Sequence, residues 1–129
     1  MRLLLDTHVL LWALDEPVRL DRETRDLLED PSNEVLFSAA SIWEIAIKVR
    51  LGRTDFPVRP EAIADAARST GFTELPVFAA TAAKVADLPP HHRDPFDRLL
   101  VAQAIAEPAR LYTADAKLTP YSELVTLIH

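Results

Sequence analysis

Apolar residues follow two spacings along the chain, and the switches between them divide it into strands and helices. "RLLLD" is a short unbroken apolar run ending on Asp6, which predicts a strand buried on both faces. "THVLLWALDEP" carries its apolar residues at helical spacing and predicts a helix that stops before Pro17, since the residue ahead of a proline is pushed out of the α region. "DRETRDLLEDPSN" predicts a surface helix with Asp21 at its N-cap and a stop at Pro31. "EVLFS" predicts a second strand. "AASIWEIAIKVRLG" predicts an amphipathic helix with Ile42, Ile45 and Val49 on one stripe and Gly52 at its C-terminal cap.

Further on, "RPEAIADAARSTG" and "VFAATAAKVADL" predict helices around a short β segment, "FTELPV", and Pro89 and Pro90 close that stretch. After "HHRDPFD" a strong helix runs to about Ala106, and Pro108 separates it from a strand, "ARLYTAD". A turn, "AKLT", and a last β segment, "LVTLI", complete the chain. Strands alternating with helices predict an α/β sandwich with a mostly parallel sheet. No linker or repeat interrupts the 129 residues, so one domain is expected, burying about two-thirds of its unfolded surface.

Composition narrows the chemistry. With no cysteine, disulfides, thiolate zinc sites and cysteine nucleophiles are excluded, and a reducing compartment, the cytoplasm, is the expected location. Asp6 arrives too early for a signal-peptide core or a membrane span, so no membrane partner is expected. Two glycines leave no Gly-rich phosphate cradle, and a net charge of −6 argues against a simple basic clamp for nucleic acid. A polyanionic substrate would need bound cations or local Lys/Arg clusters.

The carboxylates each carry two readings. Asp6 caps the helix beginning near Thr7, or it faces a ligand; Asp115 caps the turn "AKLT", or does the same. Asp94 suits an N-cap, with Pro95 at the first helical position and Asp97 placed as in a capping box. Glu44 precedes Lys48 by four residues, the spacing of an ordinary solvated pair. Yet ligands of an open parallel sheet sit beyond the carboxyl ends of its strands, where Asp6 and Asp115 both fall, and Asp97 opens a helix entering from that edge. Three carboxylates at one rim repel, which calls for protonation or a divalent cation. Oxygen donors make that cation hard, Mg²⁺ or Mn²⁺.

Other candidates are weaker. His91 and His92 are adjacent in a proline-bounded loop, without the i, i+4 spacing that lets two imidazoles share a metal, and are expected on the surface. His8 either lines the rim beside Asp6 or packs. No G-x-S-x-G elbow is present. Trp12 and Trp43 are expected in the core or at a subunit interface.

"LLLDTHVLLW", "SAASIWEIAIK", "HHRDPFDRLLVAQA" and "LYTAD", in that order and spacing, resemble the PIN-domain ribonucleases, most closely the VapC-like toxins of toxin–antitoxin pairs. The resemblance covers essentially the whole chain and implies a single PIN-like three-layer sandwich over residues 1–129. It implies an acidic quartet on Asp6, Glu44, Asp97 and Asp115, a Mg²⁺ or Mn²⁺ site for hydrolysing RNA phosphodiesters to 5′-phosphate and 3′-hydroxyl ends. Asp6, Asp97 and Asp115 are then the direct ligands, while Glu44 binds a second metal or orients water. This overturns the solvated-pair reading of Glu44, which spacing alone does not. Thr113 matches the hydroxyl residue often found before the last aspartate.

Three supporting roles stay open at this point. His8 stands where many family members carry Asn or Ser. Asp94 is a cap, an indirect ligand or both. Lys48, Arg50, Arg53, Arg93 and Arg98 either contact phosphates or form an ordinary solvated basic face. The expected partners are RNA, a VapB-like antitoxin that inserts a C-terminal segment into the cleft, and a second copy in a homodimer, with DNA reached only through the antitoxin. A catalytically silent PIN-like scaffold is the alternative. A haloacid-dehalogenase-type phosphohydrolase is disfavoured, because that family needs a second acid where this chain has His8.

Overall fold

Leu3, Leu4 and Leu5 are fully buried, and the strand they form takes the centre of the sheet. The computed structural model describes residues 1–52 and 59–128; Arg53 of the basic stretch lies outside them. Strands β1 (Arg2–Leu5), β2 (Glu34–Ser38), β3 (Thr73–Leu75), β4 (Arg110–Thr113) and β5 (Val125–Leu127) alternate with helices. The helices are α1 (Thr7–Asp15), α2 (Arg22–Glu29), α3 (Ala39–Arg50), α4 (Pro60–Thr70), α5 (Ala79–Lys84) and α6 (Pro95–Ala106). Short 3₁₀ turns cover Pro17–Arg19, Val85–Asp87 and Ala116–Tyr121, the last where the turn "AKLT" is expected.

The sheet order is β3-β2-β1-β4-β5, and every strand pair is parallel. The expected mostly parallel sandwich is therefore entirely parallel. In register, Leu4 lies opposite Leu36 on one side and Leu111 on the other. Side chains alternate across a strand, so Leu3 and Leu5 enter one core with Val9, Leu10, Phe37, Ile45 and Ile63. Leu4 enters a second core with Leu36, Leu100, Val101, Leu111 and Leu118. Two cores on opposite faces of one sheet make the three-layer sandwich.

Topology positions the site. The chain moves outward from β1 through β2 to β3, then returns to place β4 on the other flank of β1. The order reverses between β1 and β4, and the crevice beyond their carboxyl ends is where such a sheet receives ligands.

Helix α3 departs from its expected stripe. Ile45 is buried and Ile42 packs against the first core, but Val49, in the last turn of the helix, is exposed. Its cap is Leu51, and Gly52 follows with φ 75°, a left-handed conformation that glycine adopts without steric cost. Trp43 is 61% exposed, which excludes it from the core; its ring meets Phe96 edge-on at 5.2 Å. Trp12 is partly buried against the first core. Among the described residues no helix is long and apolar enough to cross a membrane.

Candidate active site

Asp6 follows the last residue of β1 and caps α1: its Oδ1 accepts the Val9 amide at 2.9 Å. Its Oδ2 accepts the hydroxyl of Thr113, the last residue of neighbouring β4, at 2.5 Å. Both readings of Asp6 are thus compatible, since capping orients the carboxylate at the strand end. Burial raises its pKa above the usual carboxylate range, against the lowering pull of the Thr113 and Val9 hydrogen bonds.

Glu44 is only 3% exposed, so the pair with Lys48 exists but is not a solvated couple. Its Oε1 accepts the Thr7 hydroxyl at 2.6 Å, and its Oε2 accepts Lys48 Nζ. Thr7 Oγ1 also lies 3.0 Å from Ser41 Oγ. Glu44 is held by α1 and α3 together. A buried carboxylate is tolerable only with such donors around it.

Asp94 and Asp97 divide the start of α6. Asp94 Oδ1 accepts the Phe96 and Asp97 amides at 2.8 and 3.2 Å, as an N-cap should. The side chain of Asp97 reaches away from the cap: its Oδ2 lies 2.9 Å from His92 Nε2. Burial pushes the Asp97 carboxyl up to about 7, reinforced by the charge of Asp94 and by Asp6 and Glu44, with the His92 hydrogen bond opposing. Asp115 caps its 3₁₀ turn through Oδ1 on the Lys117 amide. Its Oδ2 lies 3.3 Å from the same His92 nitrogen.

A cleft of about 440 Å³ gathers these groups: Asp6, Thr7, His8, Trp12, Glu44, Lys48, His92, Asp94, Asp97, Ala114 and Asp115 line it. All four residues of the expected quartet are among them, and His8 lines the rim, as one of its two readings holds. Thr113 is fully buried beneath the cleft, with its hydroxyl on Asp6 and the Asp115 amide on that same oxygen.

Two expectations fail here. His92 is not a surface histidine. Its side chain is 15% exposed and turned onto two carboxylates, while His91 is exposed and lies against the Tyr121 ring. The spacing of the two imidazoles carries no sign of this, because the partners of His92 are carboxylates from other elements of the chain. Arg98 does not line the cleft either. Its guanidinium donates to the carbonyls of Val85, Leu88, Pro89 and His92 and to the Tyr121 hydroxyl. It ties the segment ahead of α6 to the helix. Arg50 and Arg93 remain exposed.

Chemically, the cleft suits a hard cation. Carboxylates line it together; burial raises the Asp6 carboxyl, and burial with the charges of Asp94, Asp6 and Glu44 raises Asp97. A divalent ion would relieve the repulsion among those charges. The ligating atoms of His92, Asp94 and Asp97 fall within 4.8 Å of one another.

Comparison with known proteins places the chain. A model of the PIN domain matches residues 3–124. Ribonuclease VapC22 of Mycobacterium tuberculosis is 34% identical over 119 residues, 89% of this chain and 88% of that protein. Ribonuclease VapC16 of the same organism is 46% identical over 57 residues, 43% of this chain and 40% of that protein. Among solved structures, the crystal structure of VapBC2 from Rickettsia felis bound to a DNA fragment from their promoter contains a chain of like fold. Its TM-score is 0.74 at 18% identity, with full coverage of both chains. By the matched length, the shared fold and the VapC relatives, this chain belongs to the PIN-domain family and is VapC-like.

Proposed function

We infer that the chain is a single-domain, Mg²⁺- or Mn²⁺-dependent endoribonuclease, the toxin of a toxin–antitoxin pair. One observation carries the reading: Asp6, Glu44, Asp97 and Asp115, far apart in sequence, line one cleft beyond the β1 and β4 strand ends. The names of its relatives, both ribonucleases, support the substrate class. Asp6, Asp97 and Asp115 would hold the cation. When bound, it would stabilise charge on the phosphodiester and lower the pKa of a water nucleophile.

The chain's own groups have separate tasks. Thr113 and the Val9 amide fix the direction of Asp6. Thr7 and Lys48 fix Glu44, which orients the attacking water or serves a second ion. Lys48, a cation in an acidic cleft, moderates the repulsion that an incoming phosphate would meet. An arginine-bearing segment of a VapB-like antitoxin suits the same carboxylates through bidentate hydrogen bonds. The toxin would work in the cytoplasm as a homodimer and meet DNA only through that antitoxin.

The test is cleavage of single-stranded RNA with Mg²⁺, with Mn²⁺ and with EDTA, by the parent chain and by Asp6→Ala. The expected result is cation-dependent cutting, giving 5′-phosphate ends, by the parent alone. Cutting by Asp6→Ala at the parent's rate would refute the site.

A further inference from the structure

The imidazole of His92 stands where cation chemistry would place a donor. Its Nε2 lies 2.9 Å from Asp97 Oδ2 and 3.3 Å from Asp115 Oδ2, and it forms a compact set with Asp94 and Asp97. Donors bound at right angles to one ion, at about 2.1 Å each, stand about 3 Å apart. The spacing of His92 to both carboxylates matches that of neighbouring donors on a single ion.

The backbone of His92 is also fixed. Its N–H donates to the Tyr121 hydroxyl at 2.9 Å, and its carbonyl accepts from Arg98 Nη1 at 3.4 Å. Arg98 holds the preceding carbonyls of Val85, Leu88 and Pro89 as well. A loop anchored from α6 and from the 3₁₀ turn presents one histidine to the carboxylates and leaves its neighbour outside. Such support orients a ligand before an ion arrives.

We propose that His92 is a nitrogen ligand of the cation site and shifts its preference from Mg²⁺ toward Mn²⁺. The inference rests on the cation reading of the cleft and adds a donor outside the acidic quartet. Mg²⁺ is served by oxygen donors and keeps much of its water, whereas first-row transition ions accept imidazole readily. Carboxylates alone would give less discrimination between the two ions than a site of mixed oxygen and nitrogen donors.

The experiment compares the parent with His92→Gln, His8→Gln and His91→Gln, each checked for folding by thermal unfolding. Calorimetry reads Mg²⁺ and Mn²⁺ affinity, and pulsed electron paramagnetic resonance reads nitrogen coupling to bound Mn²⁺. The expected result is nitrogen coupling in the parent, lost only in His92→Gln. In that variant Mn²⁺ affinity falls about tenfold and Mg²⁺ affinity by less than about threefold. Bound Mn²⁺ without nitrogen coupling, or coupling lost in His8→Gln instead, overturns the proposal. So does a tightening of both ions in His92→Gln, the mark of an imidazole that merely occupies the space until an ion displaces it. Failure of the parent to bind either ion refutes the cation reading itself, and the proposal with it.

Discussion

The two sides of the cleft hold the same kind of group on opposite terms. On one side Asp6 and Glu44 are buried, and hydrogen-bond donors surround them: Val9 and Thr113 for the first, Thr7 and Lys48 for the second. On the other side the side chains of Asp97 and Asp115 are 19% and 38% exposed and share one imidazole. The closed side draws its geometry from the packed layers of the sandwich, where its carboxylates are already out of water. The open side draws its geometry from a helix end, a 3₁₀ turn and a braced loop, and there an ion or a phosphate can enter. Charge at the closed side is set by the fold; charge at the open side is set by what binds.

The sharpest way to break this contrast is to neutralise the open side. Asp97→Asn should lower RNA cleavage by at least about 10²-fold while the protein folds and, without metal, melts at a higher temperature than the parent. Removing a carboxylate that burial and Asp94 already disfavour relieves repulsion. A large loss of melting temperature would show that Asp97 serves the fold instead. Activity assays with melting curves, both without and with Mn²⁺, read the two effects separately.

On the closed side the donors matter more than the charges. Thr7→Val keeps shape but takes the hydroxyl from Glu44, and Thr113→Val takes it from Asp6. Each should destabilise the fold by about 1–3 kcal/mol, the cost of a buried polar group left short of a partner. Thr113→Ser, which restores the hydroxyl, should recover most of the loss. Denaturant titration measures it, and a silent Thr113→Val would remove the distinction between the two sides.

The strands, the helices and the cap of α6 were readable because each rests on local spacing, a proline or a capping aspartate. Asp6 and Asp115 were readable one step further, from strand ends in a parallel sheet. Glu44 was not: four residues ahead of Lys48 it looks like any exposed pair, and its burial follows from how α3 packs against α1. The family resemblance placed it where spacing did not. His92 escaped for a related reason. Its inward turn is set by Tyr121, 29 residues away, and by carboxylates of two other elements, and no local pattern encodes those contacts. The same holds for Arg98, which reads as a basic surface residue near the acids and acts as a brace.

Acidity offers a gentler probe of the open side. The unfolded chain releases the Asp97 proton near the ordinary value of 3.8, while the folded chain keeps it up to about 7. Between those values the folded state binds more protons, so this group's contribution to metal-free stability falls as pH rises and levels off above about 7. Asp6 shifts in the same direction. Cation affinity should run the other way and climb over that interval, because the proton must leave before the ion binds. Subtracting the Asp97→Asn stability profile from that of the parent isolates the effect, and a flat difference would contradict the raised carboxyl.

The smallest expected effect separates two aspartates on one helix. Asp94→Ala removes the acceptor of the Phe96 and Asp97 amides, a change that costs about 1 kcal/mol at an N-cap. Asp94→Asn, which keeps an acceptor, should cost only a fraction of that. If Asp94 acts only as a cap, both variants cut RNA nearly as fast as the parent below their melting temperatures. Yet its ligating oxygen also falls within 4.8 Å of the ring nitrogen of His92 and of the ligating oxygen of Asp97. A folded Asp94→Asn protein with parental stability but weakened Mn²⁺ binding would therefore move Asp94 from the helix start into the open side of the cleft.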